Sequence, residues 1–238
     1  LIKPWSLEVP TIHVDSTPNT DQIYPAEVEL VGPVAAILDA LASACAGEAR
    51  WTQTEVASHR NALVAKYYEG RTAGRLNPTD VIDVVRRAMP REAIATADVG
   101  SHKILVGQGW TTYSPRATLM TNGLSSMGFS LPAAIAAKLV HPERPVVCFT
   151  GDGGLAMVQG ELRLASSLGI DPLVIVFCDN SLNRIELKQA QRKYPSWGTL
   201  IDATDTEKLA QSMGCDGVNV DSAAGLERIL SQPRAAGR

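Results

Sequence analysis

The chain has 238 residues, 45% of them apolar and 20% charged, with a net charge of −3. That composition excludes a disordered chain, which would carry fewer apolar residues and more net charge. The negative balance argues against a nucleic-acid partner, whose recognition rests on neutralising phosphates.

At ~150 residues per domain the length corresponds to one domain and a piece of another. Residues 11–14 alternate apolar and polar before the turn at 15–18, which reads as a short strand. Gly32-Pro33 signals a helix start, Val34, Ile37, Leu38 and Leu41 recur at helical spacing, and Gly47 stops the run. One strand and one helix cannot bury a core, so residues 1–47 read as the tail of a larger α/β domain. Residues 48–76 are a polar bridge with scattered helix formers. From residue 77 onward α and β alternate. Asn77 caps a helix that opens at Pro78 and presents Val81, Ile82, Val84 and Val85. Residues 93–97 form a small strand, and a glycine-rich segment at 121–128 precedes an alanine-rich helix opening at Pro132. Residues 145–150 read as a strand buried on both faces. Gly151-Asp152-Gly153-Gly154 makes the turn after it, and one helix follows up to Gly169. Residues 173–178 are the next buried strand. The repeated strand–helix–strand units predict a doubly wound, mostly parallel α/β sheet over 77–238. Ligands in such sheets bind beyond the carboxyl ends of the strands.

The apolar runs are far shorter than the ~20 residues of a membrane helix, and no leader is visible in residues 1–10. Of the four cysteines, Cys45, Cys148, Cys178 and Cys215, none forms a C-x-x-C pair. Cys148 and Cys178 lie in apolar runs and read as buried, reduced thiols of a cytoplasmic protein.

Two readings of G-D-G-G stand side by side. In one, a glycine turn leaves Asp152 to cap the helix. In the other, the glycines bring backbone N–H groups close to an anion, and Asp152 binds a divalent cation that bridges to a phosphate. Asp179-Asn180-Ser181 directly follows the next strand. Adjacent strand ends lie only ~5 Å apart, so Asp179 or Asn180 can reach the same cation; alternatively the segment is an Asx turn without further role. A dinucleotide site is a rival from another class, but Gly107-Gln108-Gly109 lacks the third glycine and a closing acidic residue. A domain that kept the fold and lost its ligand is another. His13, His59 and His141 have no supporting neighbours and receive no role.

G-D-G, an intervening helix and strand, and then a polar acid/amide pair resemble the thiamine diphosphate-dependent enzymes, in the acetohydroxyacid synthase (acetolactate synthase) and pyruvate oxidase branch. D-V-G-S-H at 98–102, the segment 121–139 and C-D-N-S-L-N-R-I-E-L-K-Q at 178–189 carry the same resemblance. It implies thiamine diphosphate and Mg2+ as cofactors. It makes Asp152 the first metal ligand and Ser181 a backbone-carbonyl ligand. The family's usual asparagine ligand aligns with Asp179 without a gap; Asn180 takes that place if the loop shifts by one residue. Gly100, Ser101, His102, Gly153 and Gly154 fall to the diphosphate side, and Ser125 and Met127 to the aminopyrimidine, with Met127 as a prop under the bent cofactor. Asn183 is a further cofactor contact, in a loop 182–184 on the substrate side where Arg184 either meets an acidic substrate or acceptor or points to solvent, the second being favoured.

The implied activity is decarboxylation of a small 2-oxo acid with transfer or release of the resulting carbanion, in a homodimer or homotetramer. The glutamate that activates the cofactor belongs, by the same resemblance, to a pyrimidine-binding domain absent from this sequence; Glu92 and Glu161 do not match its context. No catalytic residue is therefore assigned here. The chain is expected to stop before a last apolar strand, and to be inert and prone to self-association by itself.

Overall fold

The computed structural model of the chain describes residues 8–21, 23–45, 47 and 50–232. The expectations about a leader and about a missing last strand fall partly or wholly outside the described residues. The chain divides into two compact units, Leu1–Arg60 and Asn61–Arg238.

In the first unit, β1 (Ile12–Asp15) pairs in parallel with β2 (Val28–Val31), in register from Ile12↔Val28 to Asp15↔Val31. Only β1 is legible in the sequence. The expected helix is α1 (Val34–Ala44). His13 is buried, its ring nitrogens paired with the Tyr24 hydroxyl (2.7 Å) and the Thr17 carbonyl (3.0 Å), which is a packing role. A further helix, α2 (Gln53–Tyr67), occupies the polar stretch read as a bridge.

The second unit is built on a four-stranded sheet. Its strands are β3 (Ile94–Ala97), β4 (Thr118–Met120), β5 (Val146–Gly151) and β6 (Leu173–Phe177), all parallel, in the order β4-β3-β5-β6. Helix α3 (Pro78–Ala88) starts at a capping box: Asp80 accepts from the Asn77 N–H at 2.9 Å, and Pro78 fills the first turn. Its Val81, Ile82, Val84 and Val85 are buried against one face of the sheet. On that face Val147 and Phe149 of β5 also meet α4 (Ser101–Gly109), through Val106, and α10 (Ala223–Leu230), through Leu226. Full burial of Phe149 alone is worth about 1.5–3 kcal/mol. Val146 and Cys148, one residue out of phase, point to the other face. There they pack on α5 (Ser130–Val140), α6 (Asp152–Val158) and α7 (Gly160–Ser167). Helices α8 (Asn183–Gln191) and α9 (Thr206–Ser212) complete the described elements. With helices on both faces of a parallel sheet, the fold is the doubly wound α/β architecture the sequence predicts.

Several expectations need correction. β6 is an edge strand, half-buried at all five positions, rather than a strand buried on both faces. Cys178 follows it into the loop and is exposed, whereas Cys148 is buried as expected. Helix α5 opens at Ser130, two residues before Pro132, because proline is tolerated anywhere in the first turn. The single helix expected after G-D-G-G is two, divided at Gln159 ahead of Gly160. Asp152, Gly153 and Gly154 are not a turn before that helix but the first turn of α6, with Gly151 as its N-cap. Gly107 and Gly109 lie inside α4, where Gly109 makes room for the Tyr67 hydroxyl, so they form no phosphate-binding turn.

Candidate functional site

The strand order sets the place of the site. From β3 the chain passes through α4 to β4 on one side, and from β5 it passes through α6 and α7 to β6 on the other. The crevice between the carboxyl ends of β3 and β5 is therefore the topological switch point, the general ligand position of such sheets. The predicted residues of D-V-G-S-H and G-D-G-G flank it.

Asp152 ties the ends of β5 and β6 together. Its Oδ1 accepts from the Gly153 N–H at 2.7 Å, and its Oδ2 accepts from the Asp179 N–H at 3.1 Å and the Asn180 N–H at 2.7 Å. The two acid/amide loops predicted to converge thus do meet. The Gly153 N–H, expected to face a phosphate, is engaged by Asp152. Asp179 makes an Asx turn, its Oδ1 accepting from the Ser181 N–H at 3.1 Å. Burial pushes the Asp179 carboxyl above the usual carboxylate range, the Ser181 N–H opposes that, and the nearby Asp152 charge adds to it. Asn180 adopts a left-handed backbone, φ 56°, which an amide side chain tolerates. The Ser181 hydroxyl turns away to Glu186 Oε2 at 2.7 Å, leaving only backbone atoms for a ligand role. Opposite this loop, the Leu182 N–H donates to the Thr199 carbonyl and the Ile201 N–H to the Asn180 carbonyl.

Gly153 lies closely under the ends of neighbouring side chains. A Cβ there would stand 3.0 Å from Leu182 Cδ2 and 3.3 Å from Met127 Cε, with Ile201 Cδ1 at 3.7 Å. Met127 is thereby placed over the first turn of α6. Ser125, at φ 56°, donates to the Thr121 carbonyl of its own loop at 3.1 Å. The Ser101 hydroxyl donates to Asn183 Oδ1 at 2.6 Å, joining the start of α4 to the start of α8. Arg184 is exposed, as expected.

His102 is buried and stacked on Phe177, ring centroids 5.4 Å apart. Burial holds its pKa below the ordinary histidine value, against the pull of the Asp98 and Asp152 charges, so the ring is neutral at pH 7. Its Nε2 is buried with no partner. Gly100 is glycine because a Cβ would fall 2.5 Å from the His102 ring.

Asp98 had no role assigned from the sequence. It is fully buried, and its carboxylate accepts from the Val99 N–H (2.7 Å), the Gly128 N–H (3.1 Å to each oxygen), and the Ser130 N–H (3.3 Å) and hydroxyl (3.0 Å). The Thr150 hydroxyl stands at 3.5 Å. An acidic residue directly after an apolar strand was the available signal, since a buried carboxylate demands donors.

The arrangement fits a diphosphate with a hard divalent cation. The candidate ligands are all oxygens, Gly100, Gly153 and Gly154 let protein side chains pack closely against the backbone there, and an orphaned ring nitrogen faces no protein partner. Among the described residues no group of three or more His, Cys, Asp or Glu side chains assembles, so a cation here would draw on carbonyl or amide oxygen as well as carboxylate.

A doubly wound domain with glycine-rich loops and a carboxylate tying two strand ends together at the switch point is of the class that binds ligands there. The sequence carries the match to a particular one: residues 98–237 match the thiamine pyrophosphate enzyme C-terminal TPP binding domain, and the chain belongs to that family. It is 30% identical over 230 residues to the acetolactate synthase large subunit of Haemophilus influenzae, covering 93% of this chain and 40% of that protein. It is 27% identical over 232 residues to the acetolactate synthase of Bacillus subtilis, again covering 93% and 40%. To the acetolactate synthase isozyme 1 large subunit of Escherichia coli it is 34% identical over 164 residues, 66% of this chain and 29% of the relative. The chain thus spans about 40% or less of the length of these relatives. Residues 98–237 are thus a thiamine pyrophosphate-binding domain, similar to that of acetolactate synthases, and the nucleotide-binding alternative is not favoured. No helix of the described residues is long and apolar enough to cross a membrane.

Proposed function

We propose that this chain forms the diphosphate- and magnesium-holding side of an active site that decarboxylates a small 2-oxo acid and passes the product fragment to an acceptor or to a proton, as an acetolactate synthase-like enzyme. The observation that carries the reading is the Asp152 bridge between the ends of β5 and β6, beside the glycine floor of α6. In this reading Asp152, the Asp179 carboxylate and the Ser181 carbonyl hold Mg2+, with Asn180 in the place of Asp179 if the register differs by one.

Gly100, Ser101, His102, Gly153 and Gly154 would surround the diphosphate. The buried His102 fits this place, because its Nε2 has no partner within the protein and a polar ligand would satisfy it. Ser125 and Met127 would hold the pyrimidine side, Met127 supported from below by the α6 backbone, and Asn183 would be fixed for contact by Ser101. Bound thiamine diphosphate supplies the electron sink for decarboxylation, while the protein orients it and excludes water. The residue that activates the cofactor would come from another segment or subunit, consistent with a homodimer or homotetramer in the cytoplasm. Residues 1–47 would be the end of a central domain, 48–76 a connection, and 77–238 the cofactor domain.

Calorimetric titration of the full-length protein with thiamine diphosphate, with and without Mg2+, tests the reading. Binding that requires the metal and is lost in Asp152→Ala supports it. Metal-independent binding, or none, refutes it.

A further inference from the structure

We infer that Asp98 is a positioning residue for the cofactor: its buried carboxylate sets the relative placement of the three loops that form the cradle. The inference rests on the cofactor reading above and extends it to a residue that would touch neither metal nor diphosphate.

The argument starts from cost. Asp98 is fully buried, and no cation pairs with it among the described residues. A carboxylate in that position is expensive unless donors surround it. The donors come from separate stretches of chain. The Val99 N–H belongs to the loop that leads to Gly100, Ser101 and His102. The Gly128 N–H and the Ser130 N–H and hydroxyl close the segment that carries Ser125 and Met127. Thr150 ends β5, immediately before Gly151-Asp152-Gly153-Gly154. Moreover, a Cβ on Gly154 would stand only 3.2 Å from both Asp98 Cγ and Oδ2, so the carboxylate lies directly under the first turn of α6.

Each candidate group for diphosphate and pyrimidine is therefore one or a few residues from an atom that contacts Asp98. Backbone N–H donors have fixed directions, so a carboxylate shared among them sets distances between loops as well as satisfying each one. The second layer is equally tight: Thr96 Oγ1 donates to the Ser130 carbonyl at 2.8 Å, and Cys148 Sγ approaches Ser130 Oγ at 3.4 Å. Asparagine at position 98 keeps the shape but turns one oxygen into a donor facing other donors. The loops would then separate and the cradle would lose its preorganisation.

The test uses full-length protein carrying Asp98→Asn or Ser130→Ala. In the cofactor-free state, hydrogen exchange at the Gly128 and Val99 amides should accelerate at least 10-fold in Asp98→Asn, with the amides of β5 unchanged. Affinity for thiamine diphosphate in saturating Mg2+, measured by calorimetry below the unfolding range, should weaken 10- to 100-fold. A lower thermal midpoint with wild-type affinity and uniformly faster exchange would mean a purely structural role and overturn the inference. Should Asp98→Asn fail to fold, Ser130→Ala decides: affinity at least 3-fold weaker with the midpoint retained supports it, and unchanged affinity overturns it. Wild-type protein that binds no cofactor refutes the functional reading, and with it the role of Asp98 toward the cofactor; local acceleration of exchange would then still show that Asp98 holds the loops together.

Discussion

Adding one methyl group to each of two adjacent glycines should have opposite consequences. At Gly153 a Cβ meets Leu182 Cδ2 at 3.0 Å and Met127 Cε at 3.3 Å, both the free ends of side chains. Comfortable carbon contacts begin near ~3.7 Å, so the leucine methyl retreats by roughly 0.7 Å and the methionine methyl by roughly 0.4 Å. Methionine yields easily. Alanine in the first turn of a helix also gains up to ~1 kcal/mol over glycine in propensity, which offsets a similar packing penalty. Gly153→Ala should therefore change stability by no more than about 1 kcal/mol. At Gly154 the Cβ meets Thr150 Oγ1 at 3.0 Å and the Asp98 carboxylate at 3.2 Å, and Asp98 is fixed by the N–H groups of Val99, Gly128 and Ser130. Nothing there can retreat without breaking hydrogen bonds, so Gly154→Ala should cost about 2–3 kcal/mol.

Ligand affinity gives a second readout at Gly153. Gly153→Ala displaces Met127 and Leu182 from the floor of the crevice and should weaken thiamine diphosphate binding about 3- to 30-fold, roughly 0.7–2 kcal/mol. Guanidinium unfolding midpoints at constant slope give the stabilities, and calorimetric titration in Mg2+ gives the affinities. The reasoning fails if Gly153→Ala loses more than about 2 kcal/mol of stability, or if Gly154→Ala is as stable as the wild type.

Burial pushes the Cys148 thiol up to about 11. The unfolded thiol ionises first, so this stabilising term is complete below pH ~8.5 and is lost as pH rises towards about 11, by about 3 kcal/mol; urea unfolding from pH 8 to 11 should show the decline, and Cys148→Ala should flatten it. Asp179→Asn removes a carboxylate beside Asp152 while keeping an oxygen ligand, so cofactor affinity in saturating Mg2+ should hold or rise, whereas Asp152→Ala should abolish metal-dependent binding. Greater damage from Asn180→Ala than from Asp179→Asn would move the ligand register by one residue. Ser101→Ala frees Asn183 from its 2.6 Å hydrogen bond and should weaken cofactor binding a few-fold with stability changed by about 1 kcal/mol or less; unaltered affinity would remove Asn183 from the site.

What was legible in the sequence follows from how local each signal is. α3 could be read because its cap, its proline and its apolar stripe all lie within eleven residues. β5 could be read because both of its faces are apolar, which is what burial between two helix layers requires. β4 was invisible: three half-buried residues carry no period, and the strand exists because β3 offers it an edge. α4 was missed for a related reason, since its two inner glycines and mixed face look like a turn; it buries only His102 and Val106. β6 was identified as a strand but placed too deep, because an apolar run does not say whether the next strand exists to cover it. The contribution of Asp98 is only hinted at by its place after an apolar strand, since its donors other than the Val99 N–H lie 30 to 52 residues away.

The two readings of G-D-G-G meet in the same geometry. As a helix-start carboxylate, Asp152 must face free N–H groups; as a metal ligand, it must face oxygens from the neighbouring strand end. The position it takes satisfies the first demand through Gly153, and it brings Asp179 and Asn180 to within 3.1 Å of its Oδ2 through their backbone N–H groups. A residue with only the capping role needs no partner outside its own helix. The bonds to the loop after β6 are thus the part that capping does not explain. They depend on β5 and β6 being neighbours, with Gly151 opposite Phe177. The two loops lie 27 residues apart in the chain, so their meeting is a property of the parallel sheet.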